Sequence, residues 1–230
     1  MLTGKFITIA IIGYLLGSIP SGLIMAKLSG KGDIRNWGSG KTGATNVLRA
    51  VGKKAALLTA LLDIAKGMSA VFFASVIMSR YYLVVGDYRI LWLLRSAQVV
   101  AALSAIAGHN WPLFLGFKGG RGVSTFMGGL IALCPVAALF SGEMIIIGAG
   151  LTRYASLANI AGIVGASAIL LPLTVLNGFP VEYLFYALVG GGIVIWMHRD
   201  NIKRLMAGKE RKLGEKEEKP KLTLSEDTEK

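Results

Sequence analysis

Long uncharged stretches alternate with short polar segments along most of this chain of 230 residues. Each stretch is about as long as an α-helix must be to cross the hydrocarbon core of a bilayer. A helix suits that environment because it satisfies its own backbone hydrogen bonds. The pattern therefore predicts an all-α integral membrane protein with about seven transmembrane helices. The predicted spans are 6–27, 55–78, 90–108, 123–140, 142–151, 156–173 and 181–197.

The apolar stretch 123–151 permits two interpretations, because it is longer than one span needs and shorter than two full spans. A single crossing would place the basic segment that follows His198 outside the cell. The positive-inside tendency opposes that location. We therefore predict two short crossings, which meet near Ser141 and Gly142.

The charge distribution predicts the orientation of the chain. Lys and Arg number 25 against 13 Asp and Glu, and they are concentrated in the loop 28–54 and after His198. This bias predicts an external N-terminus, a cytoplasmic C-terminus and an external segment 79–89. Residues 1–208 form a single transmembrane domain in this interpretation. Residues 209–230 carry mixed charges without apolar periodicity, which predicts a disordered tail.

Basic charge in loops of a membrane protein does not indicate a nucleic-acid partner, because no soluble basic domain is predicted to carry one. The chain has one cysteine and two histidines, so we expect no protein-built zinc site, no other metal and no cofactor. Cys134 lies in an apolar run and is predicted to be a buried packing residue.

The glycine-rich segment 38–46, "GSGKTGATN", resembles two nucleotide-binding motifs. A Walker A loop requires glycine five residues before Gly40-Lys41-Thr42, where this chain has Arg35. The dinucleotide motif G-x-G-x-x-G is matched, but no βαβ unit surrounds it. We therefore predict that this segment binds no nucleotide.

A second glycine-rich segment, 117–125 or "FKGGRGVST", has a similar composition. Glycines allow successive backbone N–H groups to converge on one anion, and hydroxyl, amide and cationic side chains add donors. Both segments are predicted on the cytoplasmic face, which favours one phosphate-binding site built from several loops. Alternatively, the glycines serve close helix packing and the basic residues only set the topology.

Four motifs together resemble one known family: "GSGKTGATNVLR", "GHNWPLFLGFKGGRGVST", "TRYASLANI" and "HRDNIKRL". They occur in the order found in the bacterial acyl-phosphate:glycerol-3-phosphate acyltransferases, the PlsY family, and the resemblance covers residues 19–208. The chain departs from the family pattern where Lys41 replaces an expected Asn, Arg121 a common Lys, and Ser124 an Ala. The last two changes keep charge or small size, whereas Lys41 adds a cation beside the phosphate loop.

The resemblance implies transfer of a fatty acyl group from acyl phosphate to glycerol 3-phosphate, the first acylation step of phospholipid synthesis. It implies lysophosphatidic acid and inorganic phosphate as products, direct attack without a covalent acyl-enzyme, and an active site on the cytoplasmic face of the bacterial inner membrane. The expected partners are these two substrates and the lipid bilayer, and the oligomeric state is left open. Because acyl phosphate is an activated anhydride, such a site mainly needs to bind two anions and stabilise developing charge.

The predicted catalytic residues are His109, Lys118, Arg121 and Ser39. The predicted phosphate-binding residues are Gly38, Gly40, Gly43, Thr45, Asn46, Arg49, Gly119, Gly120, Ser124, Thr125, Ser156, His198 and Asn201. His109 is a candidate proton acceptor because its ordinary pKa lies near neutrality. A structural role for His109, or proton uptake by a substrate phosphate, remains open.

Two charged residues inside the second span, Asp63 and Lys66, are three positions apart and are predicted to neutralise one another. Intramembrane charges and broken helices also suggest an alternative function, a small transporter or channel for an anionic solute. The polar motifs lie on one face and no inverted repeat is visible, which disfavours that alternative.

Overall fold

The computed structural model describes residues 2–85 and 91–215, and within these ranges every regular element is helical. This agrees with the predicted all-α class. Two single turns of 3-10 helix, Ile34–Asn36 and Leu113–Leu115, lie in the loops. The α-helices are α1 Leu2–Gly17, α2 Ser21–Leu28, α3 Ala44–Ala50, α4 Lys53–Val85, α5 Leu91–Asn110, α6 Val123–Leu133, α7 Pro135–Thr152, α8 Ala155–Asn177, α9 Val181–Met197 and α10 Arg199–Met206.

Within the described residues, five helical segments are long and apolar enough to cross a membrane. They are Leu2–Leu28, Lys53–Ser79, Leu91–Leu115, Pro135–Thr152 and Ala155–Leu176. A sixth candidate is α9 together with α10, although the pair bends by 62°. Helix α6 is apolar but shorter. The number of crossings is thus five or six by length and composition, and the predicted seven requires α6 to cross as well.

The break inside the stretch 123–151 was predicted at the wrong place. It lies at Cys134, whose extended backbone separates α6 from α7, and Pro135 begins the new helix. Proline favours the first helical position because it has no N–H to donate and its φ already suits a helix. Ser141 instead lies buried within α7, where its hydroxyl donates to the carbonyl of Gly162 at 2.8 Å.

Two other helix boundaries also differ from the prediction. The first span is interrupted between Gly17 and Ser21, around Pro20. Lys66 Nζ donates to the carbonyl of Ile19 within this break, at 3.1 Å. Helix α4 continues to Val85 and so includes residues 79–85, which were predicted as an external segment. The sequence contains no glycine or proline in 79–85 to end the helix. The rest of that segment lies outside the described residues.

Small residues let the long helices pack closely. A Cβ added to Gly13 of α1 would lie 2.6 Å from the carbonyl oxygen of Ala101 on α5. Gly67 of α4 and Gly128 of α6 likewise face the backbone of the opposite helix. Close approach at glycine is typical of helix pairs in membranes, where van der Waals contact and hydrogen bonds drive association. Large apolar side chains such as Ile146 and Leu176 remain exposed on the outer faces, as lipid contact requires.

The polar loops gather at one end of the helical bundle, as the direct contacts between them show. Arg35 donates from Nη1 to the carbonyl of Leu115 at 3.1 Å. Arg49 donates from Nη2 to the carbonyl of Arg211 at 3.2 Å, which joins the first loop to the segment after α10. The glycine-rich segments and the C-terminal segment therefore share one end of the molecule.

Candidate active site

A small cavity of about 90 Å³ lies where these loops meet. Both glycine-rich segments, α4, α5, α8 and the α9–α10 junction contribute to its wall. The predicted site residues that line it are Gly43, Thr45, Asn46, His109, Arg121, Ser124 and His198. The prediction that several loops form one site is thus supported by their placement.

The first glycine-rich segment is ordered by the side chain of Asn46. Its amide nitrogen lies within hydrogen-bonding distance of three backbone carbonyls, and the nearest is that of Lys41 at 2.8 Å. Its amide oxygen accepts from the N–H of Ser39 at 3.1 Å. Gly38 and Gly40 adopt φ of 55° and 65°, a left-handed conformation that glycine adopts at little cost. Asn46 therefore shapes the loop, and its direct contact with a phosphate stays a prediction.

The second glycine-rich segment folds back onto the end of α5. The N–H groups of Gly119 and Gly120 donate to the carbonyls of Asn110 and His109 at 3.2 and 3.0 Å. A Cβ at Gly120 would collide with His109 Nε2, so glycine is required here for close approach to the imidazole. Both N–H groups are thus engaged within the protein. Their predicted contact with an anion is not visible in this arrangement and stays a prediction.

Lys118 and Arg121 lie differently although they belong to the same segment. The side chain of Lys118 is exposed, whereas Arg121 lines the cavity. Burial lowers the pKa of Arg121 to about 10, and the positive charges of Arg204 and Arg49 contribute, while Glu210 opposes them. Arg121 still carries its charge at neutral pH. Its buried Nε has no hydrogen-bond partner within the described part of the chain, which leaves a donor for an anion.

His109 is buried next to a pair of opposite charges in α4. Asp63 and Lys66 form the predicted ion pair, with Oδ1 and Nζ 2.8 Å apart. The same carboxylate oxygen lies 3.4 Å from His109 Nδ1. The sequence alone does not reveal this second contact, because Asp63 and His109 are far apart in the chain. Only packing of α4 against α5 brings them together.

Ser156 and Asn201, two predicted phosphate ligands, come together around the carboxylate of Glu210. Both donate to Oε1, at 2.9 and 2.7 Å, and Arg204 Nε donates to Oε2 at 2.7 Å. The side chain of Glu210 is only 4% exposed. Glu210 belongs to the predicted tail, and the sequence signal for its role is an acidic residue within the basic run 209–212. Disorder was predicted for residues 209–230. Residues 209–215 are described and contact the rest of the chain, for example through the N–H of Leu213, which donates to the carbonyl of Arg153 at 2.7 Å. Residues 216–230 lie outside the described ranges.

The other predicted residues occupy the edges of the site. His198 lines the cavity and its Nδ1 lies 2.8 Å from the carbonyl of Val194. Thr125 is fully buried and does not line the cavity. Asn159 lines the cavity from α8, one helical turn beyond Ser156, and the sequence analysis did not select it. Polar residues three apart in an apolar helix are the signal that would have identified it.

Comparison with known proteins identifies the family of this chain. The family model described as "Glycerol-3-phosphate acyltransferase" matches residues 7–208. The chain is 58% identical over 216 residues to glycerol-3-phosphate acyltransferase 3 of Dehalococcoides mccartyi, covering 94% of this chain and 99% of that protein. It is 40% identical over 214 residues to the glycerol-3-phosphate acyltransferase of Clostridioides difficile, covering 93% and 98%.

The fold is similar to two crystal structures of PlsY, described as an integral membrane glycerol 3-phosphate acyltransferase. The glycerol 3-phosphate form superposes with a TM-score of 0.77 at 39% identity, covering 91% of this chain and 96% of that chain. The lysophosphatidic acid form gives a TM-score of 0.75 at 38% identity, covering 91% and 95%. This chain belongs to the glycerol-3-phosphate acyltransferase family.

Proposed function

We propose that this enzyme transfers a fatty acyl group from acyl phosphate to glycerol 3-phosphate, giving lysophosphatidic acid and inorganic phosphate. The single observation that carries the proposal is the cavity at the loop end of the bundle. There Arg121, Lys41 and the imidazole of His109 meet beside Thr45 and Ser124. Cations and hydroxyl donors around a small cavity suit phosphate groups, and family membership supplies the acceptor and the reaction class.

The acceptor hydroxyl attacks the carbonyl carbon of acyl phosphate directly in this proposal. A new C–O bond forms, and the C–O bond to phosphate breaks with its electron pair on the phosphate oxygen. Because the anhydride is already activated, positioning and electrostatic stabilisation are enough, without a covalent acyl-enzyme. Arg121 neutralises charge on the donor, and Arg49 binds the phosphate of the acceptor.

His109 is the proposed acceptor of the hydroxyl proton, with a phosphate oxygen of the donor as the alternative. Its Nδ1 lies near the carboxylate of Asp63, and its ring borders the cavity. A proton held on Nδ1 by Asp63 leaves the lone pair of Nε2 available, which is the arrangement a general base needs.

The active site faces the cytoplasm in this proposal, with the N-terminus outside and the C-terminus inside. The loop end carries the basic residues of segments 28–54 and 198–212, which agrees with the positive-inside tendency. A cysteine introduced at exposed Lys31, in a chain with Cys134 changed to Ala, tests it. A membrane-impermeant thiol reagent should label Lys31→Cys only after the cells are opened, and labelling in intact cells contradicts this orientation.

The donor is tested with purified protein in detergent. Phosphate release should require both acyl phosphate and glycerol 3-phosphate, and lysophosphatidic acid should form in equal amount. Glycerol, which lacks the phosphate, is the matched acceptor control and should react poorly. Activity with acyl-CoA or acyl carrier protein but not with acyl phosphate would show that the donor is wrong. A stoichiometric burst of phosphate without acceptor would contradict direct transfer.

A further inference from the structure

Lys41 departs from the asparagine that the resemblance leads us to expect at this position, and it is one of the residues that line the cavity. It is partly buried, and its ammonium group forms no ion pair or hydrogen bond with the described residues. Its backbone carbonyl accepts from the amide of Asn46 at 2.8 Å, which fixes the start of the side chain. A lysine that is anchored beside a cavity and has no carboxylate partner within the described residues is suited to a bound anion. Asp63 also lines this cavity, but its carboxylate is paired with Lys66.

The surroundings of Lys41 are unfavourable for a cation in the absence of an anion. Burial lowers the pKa of Lys41, and the positive charges of Arg121 and Arg199 lower it further, while Asp200 opposes them. Two like charges that line one small cavity repel each other, and an anion between them removes that repulsion. The pair Lys41 and Arg121 thus forms a cation pair contributed by both glycine-rich segments.

Building on the proposed function, we infer that Lys41 binds the phosphate group of the acyl phosphate beside Arg121. It neutralises the charge that collects on this phosphate as the C–O bond breaks, and it transfers no proton. The location favours the donor over the acceptor. Arg49, the proposed acceptor ligand, does not line this cavity and instead donates to the carbonyl of Arg211.

The same lysine then holds the inorganic phosphate that remains after transfer. An asparagine at this position offers a neutral donor, whereas an ammonium group forms a charge-assisted hydrogen bond that is about twice as strong. The inference therefore makes two linked predictions for this enzyme. The Michaelis constant for acyl phosphate and the inhibition constant for inorganic phosphate depend on Lys41, and both change in the same direction.

The test compares Lys41→Asn with Lys41→Arg and with the control Lys54→Asn, which removes an exposed lysine at the start of α4. Steady-state kinetics give the Michaelis constants of both substrates, and inorganic phosphate is the inhibitor. Lys41→Asn should raise the Michaelis constant for acyl phosphate and the inhibition constant for inorganic phosphate by roughly tenfold, as expected when a neutral hydrogen bond replaces a charge-assisted one. Lys41→Arg should recover much of the effect, and Lys54→Asn should behave as the wild type.

Two results would overturn the inference. In the first, Lys41→Asn raises the Michaelis constant for glycerol 3-phosphate, while the Michaelis constant for acyl phosphate and the inhibition constant for inorganic phosphate stay at the wild-type values. The other is kinetics of Lys41→Asn equal to those of Lys54→Asn. Lys41→Arg keeps the charge, so it shows whether weaker donor binding in Lys41→Asn reflects the lost charge. Thermal unfolding of all variants shows whether any of them folds less stably. If wild-type protein does not use acyl phosphate at all, the proposed donor has failed rather than the role of Lys41.

Discussion

Replacing Gly120 by alanine tests whether the second glycine-rich segment must lie directly against the imidazole of His109. The added Cβ would collide with Nε2 and lie 2.8 Å from Cε1 and 2.9 Å from Cδ2. The ring cannot simply turn away, because it is 5% exposed and its Nδ1 lies 3.4 Å from Asp63. Either the imidazole or the loop that carries Arg121 must therefore move.

The size of the expected effect on activity follows from the cost of overpacking in a closely packed region. An extra carbon in such a site costs about 1–3 kcal/mol. If the whole strain energy is added to the activation free energy, kcat/KM drops by about 5- to 150-fold, at 1.36 kcal/mol for each factor of ten. Displacement of the loop would also break the hydrogen bond from the N–H of Gly120 to the carbonyl of His109, which is 3.0 Å long.

The assay is phosphate release from acyl phosphate and glycerol 3-phosphate, together with thermal unfolding in detergent. Gly192→Ala is the matched control, because a Cβ added there on α9 meets nothing within 4 Å. Alanine also favours a helix more than glycine does, so the control should be as stable as the wild type or more stable. A Gly120→Ala enzyme with kcat/KM within about twofold of the wild type would refute the packing argument.

Three further substitutions test separate parts of the site. Arg49→Ala should raise the Michaelis constant of glycerol 3-phosphate, because it removes a charged phosphate contact of about 1.5–3 kcal/mol; the donor constant should change little. Lys118→Ala should lower kcat and leave the Michaelis constants of both substrates less affected, as steady-state kinetics under the same conditions would show. Asp63→Asn should destabilise the protein by about 3–5 kcal/mol, because it leaves the charge of buried Lys66 uncompensated; thermal unfolding measures this.

Each of these has a result that would contradict it. An unchanged acceptor constant in Arg49→Ala removes that residue from the phosphate site, and an unchanged kcat in Lys118→Ala removes Lys118 from the reaction. For Asp63, the double variant Asp63→Asn with Lys66→Met is the control, because it removes both charges together. It should recover much of the stability, and equal melting temperatures of wild type and Asp63→Asn would refute the pairing argument.

Helices and their apolar faces could be predicted from the sequence because they depend on local composition. The bounds of α9, 181–197, agree with the prediction, since proline precedes it and a basic segment follows. The break in the stretch 123–151 was predicted near Ser141 and Gly142, whereas it lies at Cys134 and Pro135. Inside a helix bundle a serine can satisfy its hydroxyl by a hydrogen bond to a neighbouring helix, as it does with Gly162. Pro135 has no N–H to donate and suits the first position of a new helix, so the break falls there.

Part of the site could also be predicted from local composition. The sequence indicated that the segments around Asn46 and Arg121 belong together, because each contains glycines and phosphate donors. It did not reveal that Asn46 and Gly120 use their polar groups within the protein, nor that Glu210 accepts from Ser156 and Asn201. Hydrogen-bond partners distant in sequence are chosen by packing, which residue type alone does not encode.

The sequence by itself determined that this chain is a helical membrane protein with cationic, glycine-rich loops, because hydropathy and charge are sums over neighbouring residues. The tertiary structure decided which of those polar groups face the cavity and which hold the loops. Asp63, His109 and Lys41 come from α4, α5 and the first glycine-rich segment, and only the tertiary packing of these segments brings their charges to one place. Electrostatic interactions depend on distance in space, and that distance is set by the fold.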